Sequence, residues 1–128
     1  MRLVLDASAI LAHLLAEKGG GDSLDVSHEL LISSVNLSEV VDYFAREGFA
    51  RERITKMLEE LPIDVIALDE DVAFDAGMMR PDTKEFGLSL GDRCCLALAK
   101  KLACPAVTAE QIWPTAGAKL GVEIQLIR

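Results

Sequence analysis

Four acidic residues from distant parts of the sequence could form one metal site: Asp6, Glu39, Asp92 and Glu110. Two carboxylates about 5 Å apart repel each other by roughly 3 kcal/mol at an effective dielectric constant of about 20, which raises one pKa by about two units. A hard divalent cation relieves this repulsion, and oxygen ligands without His or Cys favour Mg²⁺ or Mn²⁺. Such an ion lowers the pKa of bound water and stabilises a departing oxygen, so the acids indicate nuclease chemistry.

These acids meet only if the chain folds as an α/β sheet, and its hydrophobic pattern predicts one. Short apolar runs predict strands at residues 2–5, 30–33, 63–68, 105–108 and 122–127. Stripes at helical spacing predict helices at 7–17, 36–47, 51–61, 69–79 and from 91 onward, with a turn at 80–82. Because strands that alternate with helices form parallel sheets, we predict a three-layer α/β/α domain. Its central, mainly parallel sheet has four to five strands, in a single domain over residues 1–128.

This fold would bring all four acids to one edge of the sheet. Asp6 directly follows the first strand and Glu110 follows the fourth, whereas Glu39 and Asp92 lie in the first turns of helices. The carboxyl ends of parallel strands and the starts of the next helices share one edge, where ligands bind in open α/β sheets. We therefore expect the four carboxylates to converge there.

Helix capping is the alternative role for each acid. Asp6 is a suitable N-cap for the helix that follows it, and Ser89 three residues before Asp92 matches a capping box. Asp92 also falls within the apolar stripe of its own helix, where an unpaired carboxylate is costly. Glu39 lies opposite the stripe of its helix, so its spacing favours a cap with Asn36 or a helix-dipole role. Four separate caps at one edge would be a coincidence, which favours convergence.

The composition sets limits on the class of protein. Apolar residues make up 51% of the chain and charged residues 27%, as in soluble globular domains. No apolar run reaches the roughly 18 residues of a membrane span and no signal peptide is evident, so we expect a cytoplasmic protein that does not bind membranes. The net charge of −8, from 13 basic and 21 acidic residues, disfavours a wide nucleic-acid contact and suits a basic protein partner or an acidic metal site.

Other residues with chemical potential have simpler interpretations. Cys94, Cys95 and Cys104 lack the spacing of zinc ligands or of a disulfide framework, so we expect small buried hydrophobes or inert thiols. His13 has no partner at metal-ligand spacing. The glycine-rich stretch at residues 19–23 lacks the Gly-Lys-Ser/Thr ending of a phosphate-binding loop and predicts a flexible connection.

Six stretches match a known family in its order over nearly the whole chain. They are Leu5–Ser8, Ser33–Val40, Thr83–Lys84, Gly87–Arg93, Thr108–Glu110 and Trp113. With these stretches the sequence resembles the PIN-domain family, and within it the VapC toxins of bacterial toxin–antitoxin pairs. The stretch Gly87–Arg93 with its alanine-rich helix is specific, whereas Asp-x-Ser alone is weak.

The resemblance implies a Mg²⁺-dependent endoribonuclease whose acidic core is Asp6, Glu39 and Asp92. The family's fourth acid is usually Asp, often followed by Arg, whereas Glu110 and Gln111 stand in those places here. Such toxins typically cleave structured RNA, frequently tRNA, and are silenced by an antitoxin whose basic tail reaches the active site. The family commonly forms homodimers.

Candidates for substrate contact accompany this resemblance. Lys84 and Arg93 lie near the core acid and are candidates for phosphate contacts, although ordinary surface charge explains them equally well. Ser8 is a candidate for contacting substrate or supporting the acids. Trp113 is suited to stacking on a base, but a single Trp beside a strand is more often core. A groove for an antitoxin helix is expected on the helices that bear Phe44, Phe49 and Met57.

Two other classes of function remain open from the sequence. A PIN fold with a decayed site would be a protein-interaction domain, and Glu110 together with the acidic surface supports it. A phosphoryl-transfer domain on another α/β fold is disfavoured. A haloacid-dehalogenase-type phosphatase needs a second Asp where Ser8 stands, and a receiver domain needs an Asp at the end of its third strand, whereas Asp64 lies near the start.

Overall fold

A computed structural model of the protein describes residues 1–16, 24 and 27–127. Within these residues the centre of the fold is a sheet of five strands in the order β3-β2-β1-β4-β5, and every neighbouring pair is parallel. The strands are β1 (Arg2–Leu5), β2 (Glu29–Ser33), β3 (Ile63–Ile66), β4 (Ala106–Thr108) and β5 (Ile124–Leu126). The predicted fold class is confirmed, and the sheet is entirely parallel.

Helices cover both faces of this sheet in the described part of the chain. They are α1 (Ala7–Leu14), α2 (Ser34–Arg46), α3 (Arg51–Glu59), α4 (Glu70–Met78), α5 (Arg80–Thr83), α6 (Leu90–Leu102) and α7 (Trp113–Leu120), with a 3-10 turn at Lys84–Phe86. None of these helices is long and apolar enough to cross a lipid bilayer.

The two faces of β1 enter two different cores. Leu3 and Leu5 pack with α1, α2 and α3, whereas Val4 packs with α4, α6 and α7. All three side chains are at most 4% exposed. An apolar run without alternation is typical of a strand buried on both faces. The run stops at Leu5, where β1 ends, and Asp6 is the next residue.

Several predicted boundaries of strands and helices shift by one to three residues, and the predicted turn at residues 80–82 is wrong. The helix expected from Asn36 begins at Ser34, because the Ser33 hydroxyl accepts a hydrogen bond from the Val35 N–H at 3.2 Å and caps α2. The expected turn at residues 80–82 is instead the short helix α5, with Pro81 in its first turn, where proline is tolerated. The loop predicted at 19–23 lies outside the described residues.

The core contains several residues that the sequence left ambiguous. Trp113 is fully buried, which confirms the core interpretation and excludes base stacking. Cys94 and Cys95 are buried as expected, and burial raises the pKa of the Cys95 thiol well above its usual value. Phe44 is 2% exposed and belongs to the core, whereas Phe49 is half-buried, and the antitoxin groove expected on the helices that bear them stays a prediction.

Candidate functional site

A cavity of about 480 Å³ opens at the edge of the sheet where β1 and β4 end, and we call it the carboxyl-end cavity. All four predicted acids line it, as convergence at this edge requires. The lining residues are Asp6, Ala7, Ser8, Leu11, Ser38, Glu39, Asp42, Tyr43, Arg46, Asp92 and Glu110.

Asp6 is the most enclosed of these acids, at 2% exposed. Its Oδ1 atom caps α1 by accepting from the Ala9 N–H at 2.9 Å. The hydroxyl of Thr108, at the end of β4, donates to Oδ2 at 2.6 Å, and the hydroxyl of Ser8 lies 2.8 and 2.9 Å from the two carboxylate oxygens. Asp6 therefore caps α1 and lines the cavity at the same time. Thr108, at the end of β4, holds its carboxylate by a hydrogen bond.

Burial raises the pKa of Asp6 from 3.8 to about 6. The hydrogen bonds from Thr108, Ala9 and Ser8 lower this pKa in part, and the negative charge of Asp92 raises it further. Desolvation and like charges disfavour the ionised form. A cation in the cavity would oppose both effects, because an opposite charge favours the ionised form.

Glu39 is placed by a contact between α2 and the start of α6. Asn36 is 1% exposed, and its Nδ2 donates to Glu39 Oε1 at 2.7 Å and to the Gly91 carbonyl at 3.1 Å. A Cβ atom on Gly91 would lie 2.5 Å from Glu39 Oε2, so the carboxylate rests where a side chain would otherwise stand. Since Ser33 caps α2, the predicted cap by Asn36 is wrong, and Asn36 orients Glu39 instead.

The environment also raises the pKa of Glu39. Desolvation by the surrounding protein is the largest cause, the hydrogen bond from Asn36 opposes it, and the charge of Asp92 adds to it. Glu39 is nevertheless exposed as a residue, which leaves its carboxylate accessible from the cavity.

Asp92 forms the predicted capping box and lines the cavity as well. Its Oδ2 accepts from the Ser89 N–H at 2.9 Å, and the Ser89 hydroxyl accepts from the Asp92 N–H at 3.2 Å. Its charge acts on both Asp6 and Glu39, which shows that the three acids share one electrostatic environment.

Glu110 is exposed at the rim of the cavity. The Thr108 hydroxyl accepts from its backbone N–H at 3.0 Å, and the Ser8 hydroxyl accepts from the Ala109 N–H at 2.9 Å. The hydroxyls of Ser8 and Thr108 lie 3.1 Å apart and thus join the Asp6 carboxylate to the segment that carries Glu110. Ser8 thus contacts Asp6, as a residue that supports the acids must. Thr108 was quoted within the family motif but was not predicted as a site residue.

The two cations predicted to contact phosphate do not line the cavity. Arg93 is 7% exposed and donates through Nη1 to the Ala76 carbonyl of α4 at 3.0 Å. It follows Asp92 by one residue, which turns its side chain about 100° around α6 and into the interface with α4. Lys84 is exposed in the 3-10 turn. The prediction for Arg93 is therefore wrong, and the lining residues do not include Lys84.

Asp42, Tyr43 and Arg46 also line the cavity, although the sequence reasoning missed them. They follow Glu39 by three, four and seven residues, which places them on the same face of α2. That spacing was a usable signal once Glu39 was placed at the site.

The carboxylates suit a hard cation in chemistry, although no group of three His, Cys, Asp or Glu side chains in the described residues is arranged to hold a metal ion. The carboxylates accept hydrogen bonds from the protein. Asp6 accepts from a hydroxyl, Glu39 from Asn36 and Asp92 from a backbone N–H. An all-oxygen donor set with several carboxylates is the type that Mg²⁺ and Mn²⁺ prefer. Desolvation and the charge of Asp92 raise the pKa values of Asp6 and Glu39 by more than the hydrogen bonds from the protein lower them.

The chain belongs to the PIN domain family, whose model matches residues 3–118. This membership agrees with the resemblance found in the sequence and removes the phosphatase and receiver alternatives. Among curated proteins, no sequence matches the chain.

Solved structures of toxin–antitoxin proteins share the fold at low sequence identity. DNA-bound VapBC from Salmonella typhimurium has a chain with a TM-score of 0.77 and 19% identity, covering 100% of this chain and 99% of that one. VapBC2 from Rickettsia felis, bound to a promoter DNA fragment, gives 0.75 and 16%, with 98% of each chain covered. VapC20 from Mycobacterium tuberculosis, a toxin that cleaves the sarcin–ricin loop, gives 0.74 and 18%, with 90% of this chain and 95% of that one covered.

Proposed function

We propose that this protein is a toxin of a toxin–antitoxin pair and a Mg²⁺-dependent endoribonuclease that cleaves structured RNA such as tRNA. The observation that carries the proposal is the carboxyl-end cavity, where acids from four distant segments line one space. Family membership supports a nuclease, and the RNA-cleaving VapC20 supports RNA as the substrate class.

In the proposed reaction the chain's own residues hold and orient the catalytic carboxylates. Asp6, Glu39 and Asp92 would bind Mg²⁺, and Glu110 at the rim would contribute as a fourth acid. When bound, the ion supplies a water of lowered pKa and stabilises the charge that develops on the phosphodiester. Ser8 and the hydroxyl of Thr108 fix the Asp6 carboxylate, while Asn36 fixes Glu39.

RNA cleavage in the presence and absence of divalent cation tests the proposal. Purified protein is incubated with total tRNA in Mg²⁺ or in EDTA, beside Asp6→Ala and Asp92→Ala. We expect cleavage only by the wild type in Mg²⁺, with circular dichroism confirming that the variants are folded. Cleavage that survives in EDTA or in either variant would rule out this mechanism.

We also propose that a cognate antitoxin with a basic tail is the protein partner. The net charge of −8 and the acids of the cavity favour a basic ligand, and the structural relatives include chains from VapBC complexes. A synthetic arginine-rich peptide should inhibit the tRNA cleavage, and an acidic peptide of equal length should not.

A homodimer in the cytoplasm completes the proposal. Phe74 and Met78 lie on successive turns of α4 and are 69% and 64% exposed, which gives an apolar surface that pairing would cover. Light scattering after size-exclusion chromatography should report twice the chain mass of 13.9 kDa. A monomer at micromolar concentration would contradict this part alone.

The alternative function is a PIN-fold interaction domain without catalysis. Its support is Glu110 in the place of the family's Asp, together with carboxylates engaged in hydrogen bonds within the protein. Binding of Mn²⁺ distinguishes the two functions, because a decayed site does not retain the ion.

A further inference from the structure

The outer wall of the carboxyl-end cavity is formed by one face of α2. Asp42, Tyr43 and Arg46 continue the face that begins with Glu39 and line the same cavity. The acids occupy one part of the cavity, and an aromatic ring and a cation lie beside them. This neighbourhood contains two of the side-chain types that proteins use to bind nucleotides.

Arg46 forms an ion pair within α2, and its side chain is 71% exposed. Its Nε lies 3.0 Å from Asp42 Oδ2, one helical turn earlier, and its guanidinium lies 6.0 Å from the centre of the Tyr43 ring. An exposed ion pair of this kind contributes little to stability, and the Arg46 side chain remains open to a ligand in the cavity. Of the described residues that line the cavity, Arg46 alone carries a positive charge.

The Tyr43 ring is half-exposed and packs against a residue of the core. It packs edge-on against Phe44, with 5.2 Å between the ring centres and 85° between the planes. Phe44 is 2% exposed and belongs to the core. The Tyr43 ring is therefore a fixed aromatic surface beside the cavity, and stacking on a base requires such a surface.

Charge makes a local cation necessary for any polyanion at this site. The chain carries a net charge of −8, and five carboxylates line the cavity, Asp42 among them. Phosphates are held by Arg through directed N–H donors. A strand of RNA that reaches the acids along α2 passes Arg46 and Tyr43 first.

We propose that Tyr43 and Arg46 form a nucleotide-binding subsite, in which Tyr43 stacks on an unpaired base and Arg46 contacts the phosphate flanking the cleaved bond. This inference rests on the proposed function, since it assigns RNA to the same cavity. Unpaired nucleotides are the expected ligands, because a base must leave its helical stack to lie on the ring.

The protein contains a matched pair that serves as the control. The Arg53 guanidinium lies 4.0 Å from the centre of the Phe49 ring, and Phe49 also packs against Phe44, with 5.1 Å between the ring centres. Neither Phe49 nor Arg53 lines the carboxyl-end cavity. Both arginine–ring pairs thus adjoin Phe44, and of the two only Tyr43 and Arg46 line the cavity that contains the acids.

The test is the binding of a fluorescein-labelled, single-stranded RNA of ten nucleotides, followed by fluorescence anisotropy in Ca²⁺ and again in EDTA. Tyr43→Leu and Arg46→Gln should each weaken binding by about 10-fold, within the range for one stacked base or one phosphate contact. Arg53→Gln and Phe49→Leu should change it by less than about 2-fold. Arg46→Gln should also reduce the salt slope of log K by about 0.7, whereas Tyr43→Leu should leave that slope unchanged.

These outcomes separate the subsite from the proposed function. Equal effects of Arg46→Gln and Arg53→Gln, which remove the same charge, would overturn the subsite. A wild type that does not bind the RNA in either condition would also overturn it. So would Tyr43→Leu and Arg46→Gln variants that bind the RNA normally and lose only the binding of an arginine-rich peptide. If the wild type cleaves tRNA in Mg²⁺ while the variants bind RNA normally, the subsite fails and the nuclease stands. If the variants lose RNA binding but the wild type does not cleave, the subsite stands and the nuclease fails.

Discussion

Two cavities of similar size lie at opposite ends of the sheet, and they differ in chemistry. The carboxyl-end cavity has a volume of about 480 Å³. A second cavity of about 430 Å³, which we call the amino-end cavity, lies where β1 and β4 begin. Its lining residues are Met1, Ala99, Lys100, Ala103, Cys104, Pro105, Gly121, Val122 and Glu123.

Because the two cavities are similar in size, the difference in their chemistry follows from the direction of the strands. At the carboxyl ends, chain segments leave parallel strands and enter helices, so short polar side chains from several segments face the same space. At the amino ends the sequence supplies one acid and one lysine among apolar side chains. Substitutions at the two ends should therefore have unequal effects on function.

The largest expected effect comes from removing the charge of one acid in the carboxyl-end cavity, with an acid of the amino-end cavity as the control. Asp92→Asn keeps the size and part of the capping of the side chain but removes the charge, and charge stabilisation by a metal is worth several kcal/mol. We expect tRNA cleavage to fall by roughly 10³-fold. Glu123→Gln in the amino-end cavity should leave cleavage unchanged. A comparable loss in both variants would mean that overall charge, and not the carboxyl-end cavity, governs activity.

The next effect concerns the stability cost of Asp6. Because the folded pKa of about 6 exceeds 3.8, the folded state binds the proton more tightly than the unfolded chain does. The contribution of Asp6 to the free energy of unfolding therefore falls as pH rises from about 4 to about 6, by about 3 kcal/mol in total. In denaturant unfolding in EDTA, the free energy of unfolding of Asp6→Asn should rise relative to that of the wild type as the pH increases across that range.

The control for this prediction is the interval above pH 7, where the difference between wild type and Asp6→Asn should be constant. Addition of Mn²⁺ should stabilise the wild type and not the variant. A difference between the two proteins that is independent of pH between 4 and 7 would show that Asp6 is not held at a raised pKa.

A smaller effect separates activity from stability at the start of α6. In Gly91→Ala the new Cβ meets the end of the flexible Glu39 side chain, which moves aside and leaves its contact with Asn36. We expect cleavage to fall by about 10-fold, as for loss of a group that orients a metal ligand. The free energy of unfolding should stay equal or rise by up to about 1 kcal/mol, since Ala favours helix over Gly.

Gly77→Ala in α4 is the matched control, because open space surrounds that position. It offers the same gain in helix propensity and should leave cleavage intact. Full activity in Gly91→Ala would show that the position of Glu39 over Gly91 does not matter for the reaction.

The smallest effect is expected at Glu110, the acid at the exposed rim of the carboxyl-end cavity. Glu110→Gln should lower cleavage by less than about 10-fold, because an outlying ligand is replaceable by water in a Mg²⁺ site. Initial rates at several Mg²⁺ concentrations measure this effect. A loss as large as that of Asp92→Asn would place Glu110 among the essential acids.

The sequence predicted the part of the site that follows from strand and helix ends. Asp6 was found because β1 is buried on both faces, so the run of apolar residues stops where the strand stops. Asp92 was weighed as either a cap or a site residue, and it is a cap that also lines the cavity. A cap at the start of α6 points toward the edge where β1 and β4 end, so the two roles do not compete.

The sequence failed where contacts are distant along the chain. Asn36 was taken as a cap, but Ser33 caps α2, and this shift places Asn36 where it bonds to Gly91, 55 residues away. No local pattern encodes that contact. Arg93 was selected because it adjoins Asp92. Successive residues on a helix point about 100° apart, however, and the Arg93 side chain lies in the interface with α4. Boundaries and orientations of this kind depend on packing and not on propensity.

The most direct test of the central claim is the calorimetric titration of Mn²⁺ into the metal-free protein at pH 7. The account predicts binding to the wild type and to Glu123→Gln, and loss of binding in Asp6→Asn and Asp92→Asn. A folded wild type that shows no binding, or binding that persists in both aspartate variants, would contradict the claim that the carboxyl-end cavity is a divalent metal site.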